Sequence, residues 1–143
     1  MYKRQGFTLI EVNRKIEPES YVSFEYVLAK KSLIGTYSSS LIRSVMKTGR
    51  ARRFRYKNNL VEQLKIKKEL YFGFNSIDGY NIATPEKAFL DCLYFYTKGK
   101  RYSFDIFSDI DLSMLDRKLM ARYLLKYKNP KFVTFVKGVL NDN

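Results

Sequence analysis

Residues Tyr80 to Tyr96 read YNIATPEKAFLDCLYFY, and this stretch decides the fold. Tyr80 and Ile82 open it as a short strand, and Thr84 turns it into a helix. The Thr84 hydroxyl can accept a hydrogen bond from a first-turn amide that has no partner inside the helix. Pro85 suits the first helical position, where a missing N–H costs nothing and the fixed φ fits. Glu86 puts a carboxylate at the positive end of the helix dipole. Ala88, Phe89, Cys92, Leu93 and Tyr96 then share one broad apolar face, and Leu90, Tyr94 and Phe95 carry apolar character further round. A helix this apolar belongs at the centre of a domain, buried on most sides.

On its N-terminal side the hydrophobic period is two. Leu41 to Lys47 is expected as a strand, Gly49-Arg50 as a turn and Arg52 to Tyr56 as a second strand. Phe54 and Tyr56 then face one way, Arg53 and Arg55 the other. Lys57-Asn58-Asn59 supplies turn residues, Leu60 to Lys67 a third strand, and Glu69 to Phe74 a fourth. Asp78-Gly79 is a hairpin-turn signal just before Tyr80. Near the start, Gly6 to Val12 carries β-formers and is expected as a short strand, followed by a connector holding Pro18. Tyr21 to Gly35 is expected as a helix, with Ser23 as N-cap, Phe24, Val27 and Leu28 on one face and Gly35 closing it. Phe104, Ile106, Phe107 and Ile110 alternate with Asp105, Asp109 and Asp111, a pattern that fits strand and loop alike. A helix from about Ser113 or Leu115 to Lys126 follows. Asn129-Pro130 then starts a last helix with Phe132, Phe135, Val136, Val139 and Leu140 as its apolar stripe. The expected class is α/β of the α+β kind: a meandering, mostly antiparallel sheet flanked by helices, with a C-terminal helical segment, in one domain over 1–143.

Apolar residues make up 45% of the 143, which excludes a disordered chain. One Cys and no His remove disulfide frameworks, Cys/His zinc sites and histidine-based triads. Cys92 sits within the apolar helix, so it reads as a buried thiol in a reducing cytoplasm. Neither a cofactor nor a metal is expected, and no window approaches the roughly 18 to 20 apolar residues of a membrane span. Glu86 and Asp91, five apart, lie too far round the helix to work as a carboxylate pair. Lys87 and Asp91, four apart, are expected as a helix-surface ion pair. No enzyme is expected.

The formal net charge is +13, and the segment Arg43 to Lys68 holds most of the excess. Arg43, Lys47, Arg50, Arg52, Arg53, Arg55, Lys57, Lys65, Lys67 and Lys68 stand there against one acid, Glu62. Arginines interleaved with Phe54, Tyr56 and Tyr71 suit a polyanion or an acidic protein surface, since guanidinium pairs with phosphate or carboxylate and rings stack bases. Charge at a sheet edge also guards against edge-to-edge pairing. These ten residues are the candidate partner or nucleic-acid site.

Four segments together resemble a known family. Ser20-Tyr21-Val22-Ser23-Phe24-Glu25-Tyr26-Val27-Leu28, Leu33-Ile34, Tyr71-Phe72-Gly73-Phe74 and Ile82-Ala83-Thr84-Pro85-Glu86-Lys87-Ala88-Phe89-Leu90-Asp91 look like the AbiEi-type antitoxins of type IV toxin–antitoxin, or abortive infection, systems. The likeness covers about Ser20 to Tyr96. It implies a cytoplasmic antitoxin domain that counteracts a nucleotidyltransferase-like toxin. Relatives pair this domain with an N-terminal winged helix-turn-helix that binds the operon's promoter. The chain departs from that pattern, with no winged helix expected before Ser20, and residues 1–12 resemble at most the tail of a wing. The alternative expectation is a nucleic-acid-binding module using the Arg/Lys-rich sheet face. Thr84, Pro85, Glu86, Lys87 and Asp91 form the structural motif, with capping and packing roles rather than catalytic ones.

Overall fold

The computed structural model describes residues 8–35 and 37–141. In chain order its elements are α1 (Leu9–Ile16), β1 (Tyr21–Val22), α2 (Phe24–Lys30), β2 (Leu41–Met46), β3 (Arg52–Tyr56), β4 (Asn59–Lys65), β5 (Phe74–Ile77), β6 (Tyr80–Ala83), α3 (Pro85–Thr97), α4 (Arg117–Leu124) and α5 (Pro130–Asn141). Short 3-10 turns at Lys68–Leu70 and Leu112–Met114 complete the list. The six strands form one sheet in the order β3-β4-β2-β1-β6-β5. The pairs β1/β2, β3/β4 and β5/β6 are antiparallel, while β2/β4 and β1/β6 are parallel. The class is α+β, a mostly antiparallel sheet flanked by helices.

The sheet is not a meander. β4 inserts between β2 and β3, in register from Leu41↔Leu60 to Met46↔Lys65. Burial explains the insertion. Val61, Glu62, Gln63 and Leu64 of β4 are buried and need a neighbour on each side, whereas all five β3 residues are exposed and suit an edge. The fourth strand starts later than expected. Gly73, at φ +82°, breaks the chain before it, and Glu69 falls in a 3-10 turn. Asp78-Gly79 does make the hairpin turn, both residues at positive φ (52° and 84°), and joins β5 to β6.

Helices cover both faces of the sheet. On one face Tyr21, Val45 and Leu64 join the main core with α2 and α3. Val22, Ile42, Met46 and Val61 are buried outside that core, on the opposite face. That second face belongs to α1, where a strand was expected. Thr8 and Glu11 make a capping box: the Glu11 amide donates to Thr8 Oγ1 at 3.3 Å and the Thr8 amide to Glu11 Oε1 at 3.1 Å. The expected strand's Gly6 and Phe7, like most of the wing resemblance, lie outside the described residues. Buried Asn13 docks α1, its Oδ1 accepting from Ser44 Oγ at 2.7 Å and Gln63 Nε2 at 3.0 Å. Ser44 and Gln63 are register partners on β2 and β4, so one side chain fixes the helix across two strands.

Tyr21 and Val22 form β1 instead of opening a helix, because they bridge β2 and β6. Ser23 occupies the N-cap position of α2, but its hydroxyl makes no cap bond there. Ser32, at φ +66°, ends α2 in place of Gly35. The Leu33 amide reaches back to the Leu28 carbonyl at 2.7 Å and the Ser32 amide to Ala29 at 3.0 Å, the pattern of a Schellman ending.

α3 is central, as its apolar circumference requires. The Lys87 amide donates to Thr84 Oγ1 at 3.1 Å, Pro85 opens the helix, and Ala88, Phe89, Leu90, Cys92 and Leu93 have no exposed surface. α2, α4, α5 and β6 all pack on it. Asp116 caps α4 through the Lys118 and Leu119 amides, and Asn129 caps α5 through the Lys131 amide at 2.9 Å. Residues 104–111 are turns that bury Ile106 and Ile110.

Candidate interaction surface

The ten cations of Arg43 to Lys68 do not form one face. Side chains on adjacent strands share a face when their residues are register partners, which puts Arg53 with Glu62 and Arg43, and Arg52 with Gln63 and Ser44. Lys65, opposite Met46, falls on the α1 side with Arg52. Arg43 is a core residue in effect, its side chain only 10% exposed. Its Nη1 donates to Glu25 Oε2 and its Nε to Glu62 Oε1 at 2.7 Å. Glu62, the segment's one acid, is a hub. Its Oε2 also accepts Lys100 Nζ at 2.7 Å and has Arg53 Nε at 3.4 Å. Burial pushes the Glu62 carboxyl up, but hydrogen bonds from Lys100 and Arg43 outweigh it and hold the group below its ordinary value.

Arg43 is therefore withdrawn from the partner surface, and Arg52 is partly engaged by Glu17 at 3.1 Å and Gln63 Oε1 at 2.9 Å. Lys47 sits over the Tyr71 ring at 4.7 Å and Lys57 over Tyr56 at 5.3 Å. Arg50, Arg55 and Lys65 are exposed, and among the described residues no carboxylate lies within ion-pair distance of them. Lys67 and Lys68 follow β4 and leave the sheet with the 3-10 turn. What remains lies along the edge on both of its faces: Arg53 and Arg55 on the Glu62 face, Phe54, 42% exposed, and Tyr56, 70% exposed, on the other, with Arg50 and Lys57 beside β3. The outer backbone groups of an edge strand have no ladder partner inside the sheet, so β3 also offers hydrogen bonds to an incoming chain.

The motif residues are drawn inward. Lys87 and Asp91 are fully buried, not on the helix surface, and pair at 2.7 Å. Tyr21 Oη donates to Asp91 Oδ2 at 3.0 Å and accepts from Lys87 Nζ at 2.9 Å, while Ser23 Oγ donates to Asp91 Oδ2 at 2.7 Å. This explains why Ser23 does not cap α2. Burial pushes the Lys87 ammonium below its ordinary value, more than Asp91 lifts it. Gly73 covers the Lys87 stem so closely that an added Cβ would stand 2.8 Å from Lys87 Cγ. Glu86 points away, its Oε2 accepting the Asp116 amide at 2.8 Å at the entrance to α4. Glu86 and Asp91 are thus as separate as their spacing implied. The sequence did hold a signal for the buried pair: a helix apolar all round leaves an i, i+4 ion pair no surface to lie on.

A second basic cluster was missed because its members are far apart in sequence. Lys67, Lys98, Lys126 and Lys128 line one cleft between the Lys68–Leu70 turn, the ends of α3 and α4 and the start of α5. Among the described residues no helix is long and apolar enough to cross a membrane. No protein-family model, curated protein or solved structure matches the chain.

Proposed function

We propose that this chain is a non-enzymatic, cytoplasmic antitoxin-like domain that counteracts a nucleotidyltransferase-like toxin, engaging it through the basic β3 edge. One observation carries the reading. Three of the four segments that resemble AbiEi-type antitoxins, far apart in sequence, meet where Tyr21, Ser23, Lys87 and Asp91 form a buried network and Gly73 packs on the Lys87 stem. The resembling residues thereby share one structural role at the centre of the core. The edge supplies the contact: exposed guanidinium groups, two exposed rings and an open strand suit an acidic protein surface.

The exposure of Tyr56 and Phe54 on the same edge strand as Arg53 and Arg55 favours a second reading, a nucleic-acid-binding module. Single Arg50→Ala, Arg53→Ala and Arg55→Ala variants, co-expressed with a nucleotidyltransferase-like toxin whose toxicity the parent chain suppresses, separate the two. In the antitoxin reading at least one variant fails to rescue growth, with a loss of toxin affinity of about 2 kcal/mol or more, as for a protein-interface anchor. The parent then binds random duplex DNA weakly at physiological salt. Tight DNA binding with a log–log salt slope of about −0.9 per phosphate contact, and rescue untouched by every variant, would promote the second reading instead.

A further inference from the structure

Four lysines from three separate stretches of the chain line one cleft. Lys67, Lys98, Lys126 and Lys128 line a cleft of about 100 Å3 together with Thr97, Asn129, Tyr94 and Tyr127. Glu69 is its one acid, and among the described residues it makes no ion pair with any of the four. Like charges gathered around one concavity repel one another, and an anion in the cleft is the counter-charge that would relieve them. Two of the lysines are already steered by rings, Lys98 over Tyr94 at 5.3 Å and Lys126 over Phe72 at 5.5 Å.

Size narrows the ligand. The volume holds several water molecules, and so a tetrahedral oxoanion, but not a whole nucleotide. Lys126, Lys128 and Glu69 are shared with an adjoining open groove, where Phe72, Tyr123 and Leu125 present apolar surface beside Arg122. Leu125 is 77% exposed there. A charged cleft opening onto an apolar shelf matches a molecule with a phosphoryl group at one end and a flat or apolar body at the other. We propose that this cleft is a phosphate site, taking the phosphoryl group of a nucleotide-sized phosphomonoester whose body lies along Phe72, Tyr123 and Leu125.

The test is a pair of NMR titrations of the whole chain at constant ionic strength, one with inorganic phosphate and one with adenosine 5′-monophosphate. The expected result is saturable shifts confined to amides around Lys67, Thr97–Lys98 and Lys126–Phe132, with the nucleotide at least several-fold tighter than phosphate. A Lys98→Gln/Lys128→Gln variant, both positions being exposed, should bind at least tenfold more weakly with an unchanged melting temperature. An Arg53→Gln/Arg55→Gln variant should bind as the parent does. Linear shifts spread over every basic surface, or binding indifferent to the Lys98/Lys128 change, would overturn the site. Equal affinity for the two ligands would overturn the shelf and the phosphomonoester. The toxin-rescue experiment reads β3 and not this cleft, so each proposal can fail alone.

Discussion

At the scale of single residues, Lys87 and Asp91 form an ion pair with no contact with solvent. Both have zero exposed surface, and each charge is compensated by the other and by Tyr21 and Ser23. Removing one partner leaves a buried charge alone, which costs about 3–5 kcal/mol, whereas replacing both with apolar groups of similar volume is close to neutral. Asp91→Ala is therefore expected to lower stability by about 3–5 kcal/mol. Lys87→Met with Asp91→Leu should recover part of that loss, held back by the Tyr21 and Ser23 hydroxyls that lose their buried partners, a difference visible in urea unfolding of the two variants and the parent. If the double variant is as unstable as Asp91→Ala, the pair is not the compensated unit described here. The i, i+4 spacing of this pair was plain in the sequence, but its burial depended on Tyr21 and Ser23, some 66 to 70 positions away. Residue-scale reading found the partners and misplaced them, because burial is set by the fold.

Elements were legible wherever a local signal fixed them. Thr84, Pro85 and the apolar run decided α3, Asp78-Gly79 decided the β5–β6 turn, and alternation decided β2, β3 and β4. Errors fell where two local signals competed. Thr8 and Glu11 carry a capping box, yet the β-formers around them suggested a strand, and the box prevailed. Strand order was out of reach because parallel pairing of β2 with β4 is set by burial, not by any turn. The basic segment looked like one face for the same reason, since Arg43 is opposite Glu62 only in that register. α3 itself gives a direct check. Thr84 supplies the one side-chain bond to the Lys87 amide and stands 3.2 Å from Tyr123 Oη, so Thr84→Ala should destabilise the chain by about 1 kcal/mol. Thr84→Ser keeps the acceptor and should recover much of this in the same denaturant titration. Equal losses for Ala and Ser would mean that the methyl group, not the cap, matters.

At the scale of the whole molecule, an aromatic core ties stability to alkaline pH. Burial, ahead of neighbouring charge, pushes up the phenols of Tyr21, Tyr102 and Tyr127 and the thiol of Cys92. A group raised in the folded state stabilises fully below its unfolded pKa, about 9.0 for Cys and 10.0 for Tyr, and that stability is lost as pH rises above it. Each group then costs about 1.4 kcal/mol per pH unit, because the unfolded chain releases a proton that the folded chain keeps. Lys87 has the opposite sign. Its folded pKa lies below the ordinary 10.5, so its contribution is complete above that value and is lost as pH falls through the folded pKa. Just below pH 10.5 it therefore adds stability as pH rises. Below pH 10.5 the Cys92 loss and the Lys87 gain have opposite signs, and past pH 10 three deeply buried phenols outweigh one lysine. The urea midpoint should fall steeply above about pH 10. In Cys92→Ala the thiol's share is gone, so between about pH 9 and 10 the midpoint should lose less with rising pH than the parent's before the same steep fall. A parent midpoint that holds level to pH 11, or a Cys92→Ala curve parallel to the parent's, would mean that the rings and Lys87 are not sealed from water as the packing around α3 requires.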